Sequence, residues 1–137
     1  MELPTEDLHE LWRRIVFSIL ISNTDDHLRN HGFLFAGNQG WRLSPAYDLN
    51  PVPVQFRPRF LSTLIDEQNG DASLDLALSV AESFRLTSFQ ARRLARQAAE
   101  AASHWRARGN VLDIPAREID IVATAFEHED LKQAQAY

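Results

Sequence analysis

The chain has 137 residues, of which 45% are hydrophobic and 24% are charged, and its formal net charge is −5. This composition is ordinary for one globular domain, and the negative charge argues against general nucleic-acid binding by the whole molecule. The chain has no cysteine, which excludes disulfides and thiolate metal sites and predicts a cytoplasmic location. The acidic N-terminus is unlike a signal peptide, and the longest apolar run is too short to span a membrane, so we expect no membrane association.

The first predicted element is a helix over about residues 6–21, because apolar side chains recur there at helical spacing. Thr5 is the predicted N-cap, and Glu6 and Asp7 lie in the first turn, where the helix dipole favours acids. The C-terminal half of this helix is apolar on nearly every side. We therefore expect it to be buried and to position the loop that follows.

A polar loop, residues 22–31, follows the helix and contains an Asp and an Asn five positions apart, Asp25 and Asn30. A predicted β-hairpin, residues 32–43, leads to a third polar residue, Asp48, in the element 44–49. In protein kinases an Asp orients the hydroxyl nucleophile and accepts its proton, while an Asn and a later Asp hold Mg²⁺ on the nucleotide phosphates. Asp25, Asn30 and Asp48 fit these roles in order, and the hairpin should bring Asp48 beside Asn30.

The polar loop leaves several alternatives open, because an Asp and an Asn at this spacing also occur in ordinary polar turns. Asp26 competes for the role of base, although it lies four residues from Asn30 and not five. His27 could be a general base, could touch the nucleotide, or could order the loop. Arg29 could bind phosphate or form a structural salt bridge with Asp26, and His31 is predicted to be structural.

The segment from Ser44 to Thr63 holds four of the six prolines, which predicts irregular structure where a kinase has its activation segment. Tyr47 could line a nucleotide pocket or belong to the core. Residues 66–71 are polar and match no EF-hand spacing, so a solvated turn is predicted there.

Residues 72–132 are predicted to form a helical subdomain, followed by a frayed tail over residues 133–137. A cap at Ser73 or Asp71 begins one helix, and a capping box at Thr87 begins a second, which should end near Arg108, before Gly109. Pro115 suits the first turn of a last helix. The residues predicted to face the core are Leu74, Ala77, Leu78, Ala81, Phe84, Leu94, Ala98, Ala101, Trp105, Ile119, Val122 and Phe126.

A basic face on the second of these helices carries Arg92 and Arg96, four residues apart and opposite the apolar stripe. Such a face can contact DNA phosphates, although a merely solvated face is the more common explanation.

The polar loop and the later Asp resemble the HipA family, the toxin kinases of bacterial type II toxin–antitoxin modules. The resemblance is carried by Asp25-Asp26-His27-Leu28-Arg29-Asn30, with Arg where the family usually has Lys, and by Pro45-Ala46-Tyr47-Asp48; it extends more weakly through residues 71–78. It implies the C-terminal lobe of a kinase-like fold, mainly α with one small hairpin. It also implies ATP- and Mg²⁺-dependent phosphoryl transfer to a Ser or Thr hydroxyl of a protein. Asp25 would then be the base, Asn30 and Asp48 would hold the metal, and His27, Arg29 and Tyr47 would lie near the nucleotide.

A protein kinase also needs a Gly-rich loop and a strand Lys, and neither is recognisable in this sequence. The five glycines form no G-x-G-x-x-G pattern, and the single Lys, Lys132, falls in the last predicted helix. We therefore expect a kinase lobe without its N-terminal partner, as a fragment, a truncated gene product or half of a split enzyme, and inactive alone.

The resemblance implies as partners a HipB-like antitoxin or a polypeptide carrying the N-terminal lobe. It also implies an aminoacyl-tRNA synthetase as a possible substrate, and DNA contact only through the antitoxin complex. One alternative is a non-catalytic module that binds these partners. Another is Mg²⁺-dependent phosphate hydrolysis by the carboxylates alone.

Overall fold

The computed structural model describes residues 3–137, which form a mainly α-helical fold with one small β-hairpin, as predicted. The elements are α1 Thr5–Leu20, β1 Phe33–Phe35, β2 Trp41–Leu43, α2 Leu74–Ser79, α3 Ser88–Ser103, α4 Trp105–Val111, α5 Ala116–Phe126 and α6 Glu129–Gln135. Short 3₁₀ turns occur at Leu28–Asn30, Gly37–Gln39 and Ala81–Phe84. Within residues 3–137, no helix combines the length and the apolar character needed to cross a membrane.

Helix α1 lies at the centre of the fold and packs against α2, α3 and α6. Trp12, Val16 and Ile19 on this helix are fully buried, which confirms the predicted burial. The predicted cap at Thr5 is wrong, because the extended residue Pro4 precedes the helix and its carbonyl accepts the first helical hydrogen bonds. Thr5 is already helical, and its side chain accepts a hydrogen bond from Arg85 instead.

The predicted hairpin is confirmed, with Phe33 opposite Leu43 in an antiparallel pair. Asp7 ties this hairpin to the start of α1. Its carboxylate accepts hydrogen bonds from Arg42 Nε at 2.9 Å and Nη2 at 2.8 Å, and from the Leu43 backbone N–H at 2.9 Å. The Arg42 guanidinium lowers the pKa of Asp7, which is buried. Asp7 therefore holds the hairpin in place, in addition to its favourable interaction with the helix dipole.

The Ser73 cap and the Thr87 capping box are both confirmed, but the helix that follows Thr87 is shorter than predicted. Helix α3 ends at Ser103, and α4 begins at Trp105 and includes Gly109. Gly109 is buried, and a Cβ there would lie 3.1 Å from the side chain of Ile119, so this glycine permits close packing of α4 and α5 and does not end a helix.

Ala101 on α3 was expected to face the core, but it is exposed. Ala98 is buried as predicted, and Ala102 is buried where Ala101 was expected, so the buried stripe of α3 is rotated slightly from the predicted one.

The predicted last helix is two helices, α5 after Pro115 and then α6. His128 separates them and caps α6 through Nδ1, which accepts from the Leu131 N–H at 3.4 Å. The prediction of a frayed tail is wrong, because α6 continues to Gln135 and the Gln133 side chain donates to the Tyr137 hydroxyl at 2.9 Å.

Candidate functional site

Two of the predicted site residues, Asn30 and Asp48, are in direct contact although they are 18 positions apart. Asn30 Nδ2 donates to Asp48 Oδ2 at 2.8 Å, and Asn30 Oδ1 accepts from the backbone N–H of His27 at 3.0 Å. Asn30 is buried, whereas Asp48 is exposed. The hairpin between them produces this contact, so the predicted proximity is confirmed.

Asp48 has a left-handed backbone, with φ 58°, a conformation that costs energy for a residue other than glycine and often occurs at functional sites. Its second carboxylate oxygen, Oδ1, accepts from Asn50 Nδ2 at 2.8 Å. Asn50 was not among the predicted site residues. The spacing Asp-x-Asn after the hairpin was the signal that could have identified it.

The two adjacent carboxylates of the polar loop have opposite environments. The Asp25 side chain is 67% exposed and forms an ion pair with Arg57, 2.8 Å from Oδ1. Asp26 is buried, and its Oδ1 lies 2.9 Å from Nε2 of His31, without the alignment of a hydrogen bond. Only Asp25 is therefore open to an incoming substrate hydroxyl, which favours it over Asp26 as a candidate base.

The other residues predicted near the nucleotide surround this loop. The salt bridge considered between Arg29 and Asp26 is not formed, because His31 occupies that position beside Asp26. Arg29 is exposed, and its guanidinium makes no hydrogen bond or ion pair with any residue from 3 to 137. Tyr47 is also exposed, so the core alternative is wrong; its hydroxyl donates to the Arg29 carbonyl at 2.7 Å. His27 is half-buried and orders the loop through its backbone contact with Asn30.

The last part of the proline-rich segment, residues 57–63, holds the polar loop in place through contacts that were not predicted; we call it the clamp loop. Ser62 Oγ donates to the Thr24 carbonyl at 2.9 Å, and Thr63 Oγ1 donates to the Asp26 carbonyl at 2.8 Å. Arg59 donates to the side chain of Ser22 at 3.1 Å. The clamp loop has no regular secondary structure, as the prolines predicted, but its side chains define the shape of the candidate site.

The donor set beside the hairpin fits Mg²⁺, which prefers hard oxygen ligands and retains water or phosphate for its remaining positions. Asp48 supplies a carboxylate, and Asn30 and Asn50 each carry an amide oxygen. In this structure, however, both amides turn their nitrogen toward Asp48, and Asn30 Oδ1 accepts from the His27 N–H. Among residues 3–137, three or more His, Asp or Glu side chains do not come together in an arrangement able to hold a metal ion. Metal binding at Asn30 and Asp48 stays a prediction.

The basic face on α3 is exposed, as predicted, but both of its arginines contact the last residue of the chain. Arg96 donates to the Tyr137 backbone oxygen at 3.0 Å, and the Arg92 guanidinium lies 5.5 Å from the centre of the Tyr137 ring. DNA contact by this face stays a prediction.

Comparison with known proteins identifies two relatives that are themselves described as kinases. A protein of Haemophilus influenzae named "Putative kinase" is 36% identical over 69 residues, which is 47% of this chain and 20% of that protein. The "Putative kinase Y4dM" of Sinorhizobium fredii is 47% identical over 49 residues, 36% of this chain and 12% of that protein. This chain thus spans a fifth or less of these relatives. No solved structure matches it significantly.

A family model described as the HipA-like C-terminal domain matches residues 1–106. The match includes the polar loop, the hairpin, Asp48, the clamp loop and all of α3. Since it covers well over half of the chain, and both relatives carry kinase names, the resemblance of the Asp25–Asn30 and Pro45–Asp48 motifs is confirmed: the chain belongs to the HipA-like C-terminal domain family.

Proposed function

We propose that this chain is the catalytic-loop lobe of a HipA-like serine/threonine protein kinase, which transfers a phosphoryl group from ATP to a protein hydroxyl. One observation carries the proposal: the 2.8 Å contact between Asn30 and Asp48, with the exposed carboxylate of Asp25 on the same loop. The kinase names of the two relatives support it.

Asp25 is proposed as the residue that orients the substrate hydroxyl and accepts its proton. Its carboxylate has one oxygen held by Arg57, while the other accepts no hydrogen bond from residues 3–137. That second oxygen is available to a substrate. Asp26 is buried against His31 and would stabilise the conformation of the polar loop.

Asn30 and Asp48 are proposed to hold Mg²⁺, with Asn50 as a further oxygen donor beside them. When bound with ATP, the metal ion would neutralise charge on the nucleotide phosphates. The exposed guanidinium of Arg29 offers a second positive charge near this site. The Tyr47 hydroxyl donates to the Arg29 carbonyl and so ties the backbone of Arg29 to the segment that carries Asp48.

The rest of the nucleotide site would come from a lobe with a Gly-rich loop and a strand Lys, which this sequence does not contain. The hairpin offers a surface for such a lobe, because Leu34, Phe35 and Trp41 are 59%, 65% and 48% exposed. Apolar side chains grouped on one exposed hairpin are typical of interaction surfaces. We propose that this hairpin binds the N-terminal lobe, with a HipB-like antitoxin as an additional partner of the assembled kinase.

The decisive experiment combines this chain with an N-terminal-lobe polypeptide and measures transfer of labelled γ-phosphate to protein. We expect Asp25→Asn to abolish turnover and to leave the complex intact, because it removes the base and not the docking surface. Asp71→Asn is the matched control, since Asp71 is also exposed and lies outside the polar loop. Full activity in Asp25→Asn would move the role of base to Asp26 or His27.

The second candidate function is a non-catalytic binding module, and the exposed apolar side chains of the hairpin favour it. A module of this kind would form the same complex and would show no phosphoryl transfer. Complex formation that is lost in Trp41→Ala, together with no transfer by the wild-type complex, would establish this alternative.

A further inference from the structure

We propose that Arg57 is a positioning residue for the candidate base, Asp25; this inference rests on the proposed function. Neither the kinase motif nor the family resemblance drew attention to Arg57, which lies 32 positions after Asp25 in the clamp loop. The reason is geometric: its guanidinium joins the candidate base to a fixed point of the polar loop.

Two contacts determine where the guanidinium lies. Arg57 Nη1 donates to Asp25 Oδ1 at 2.8 Å, and Nη2 donates to Ser62 Oγ at 3.1 Å. Ser62 Oγ in turn donates to the carbonyl of Thr24, the residue immediately before Asp25. Arg57 therefore connects the Asp25 carboxylate to Ser62, which is itself bound to the backbone next to Asp25. The planar fork of the arginine side chain makes this connection rigid.

The arrangement leaves the carboxylate held by one oxygen. Asp25 Oδ1 is engaged by Arg57, and Oδ2 has no hydrogen-bond donor within residues 3–137. A carboxylate without such a partner rotates freely about its last side-chain bond, because that torsion has a broad energy profile. Arg57 thus fixes the orientation in which the free oxygen is presented to a substrate hydroxyl. The rate of phosphoryl transfer depends strongly on that orientation.

The ion pair between Arg57 and Asp25 is expected to contribute little to the stability of the folded chain. The side chains of Arg57 and Asp25 are 44% and 67% exposed, and pairs with such exposure contribute little to folding. A lysine at position 57 could reach one partner but could not bridge Asp25 and Ser62 together, since its ammonium is a single point charge. The prediction is therefore specific to arginine.

The first test measures phosphoryl transfer by the complex with the N-terminal-lobe polypeptide. We expect Arg57→Ala to lower kcat by about 10- to 100-fold with little change in KM for ATP, and Arg57→Lys to recover part of the loss. Arg93→Ala is the matched control, because Arg93 is an exposed arginine on α3, away from the polar loop.

Three results would overturn the inference: a kcat of Arg57→Ala within twofold of wild type, an Arg57→Lys variant as active as wild type, or a rise in turnover in Arg57→Ala. The last would show that Arg57 blocks the base. If Asp25→Asn abolishes transfer and Arg57→Ala does not change it, the inference fails while the proposed function stands. If the wild-type complex transfers no phosphate, the proposed function itself fails.

The second test uses the chain alone and needs no turnover. The guanidinium N–H resonances of Arg57 and Arg93 are compared by NMR in wild type and in Asp25→Asn. We expect the substitution to shift the Arg57 signals and to leave the Arg93 signals in place. Arg57 signals that are insensitive to the substitution would overturn the inference, whatever the outcome of the kinetic test.

Discussion

Arg59 of the clamp loop offers the sharpest test of how the candidate site is held together, through the substitution Arg59→Ala. Its Nη1 lies 2.7 Å from Asp130 Oδ2, its Nη2 donates to the Ile19 carbonyl at 2.9 Å, and its Nε donates to Ser22 Oγ at 3.1 Å. One side chain thus joins the clamp loop, the end of α1 and the start of α6.

The expected loss of unfolding free energy follows from the carboxylate of Asp130, which the substitution leaves without its ion-pair partner. The side chains of Arg59 and Asp130 are only 19% and 17% exposed, and removing one partner of a buried ion pair costs about 3–5 kcal/mol. Asp130 keeps one donor, the Leu74 N–H at 2.7 Å, and water reaches part of the pair, both of which reduce that cost. We therefore expect Arg59→Ala to lower the free energy of unfolding by about 2–3 kcal/mol.

Urea unfolding followed by tryptophan fluorescence measures this loss. Arg57→Ala is the matched control, because it makes the same substitution two positions earlier at an exposed ion pair, where we expect a loss of at most about 1 kcal/mol. The double variant Arg59→Ala/Asp130→Asn should be less destabilised than the sum of the single variants, since the unpaired charge is then removed. A cost of Arg59→Ala no larger than that of Arg57→Ala would refute the reasoning.

Three further predictions concern metal, pH and DNA. In calorimetry the isolated chain should bind Mg²⁺ weakly and ATP hardly at all, and Asp48→Ala or Asn30→Ala should remove the metal heat; micromolar Mg-ATP binding would contradict this. Burial, and then the charge of Arg59, lower the pKa of His128 below its ordinary 6.5, so the unfolded state binds the proton first, and unfolding free energy should fall as pH drops below about 6.5. His128→Asn, which retains a capping side chain, should flatten that part of the pH profile. If Arg92 and Arg96 contact DNA within an antitoxin complex, each Arg→Ala should reduce the salt slope of binding by about one unit in electrophoretic titrations, whereas the chain alone should not bind.

The features that sequence alone determined are those with local causes. Apolar spacing and the Thr87-x-x-Gln90 pattern located α1 and the start of α3, because burial and capping act within a few residues. The glycines between β1 and β2 supply the positive φ values of the hairpin turn, at Gly37 and Gly40. The hairpin in turn made the contact between Asn30 and Asp48 predictable from the order of the motif.

The tertiary structure decided which partner each polar side chain receives. Asp25 and Asp26 are chemically identical neighbours, yet one is exposed beside Arg57 and the other is buried beside His31. Gly109 has the residue type of a helix terminator, but close packing against Ile119 places it inside α4. These outcomes depend on segments that are distant in sequence and are brought together when the core forms around α1. A local pattern contains no information on which distant segment arrives, because burial of the whole apolar surface selects it.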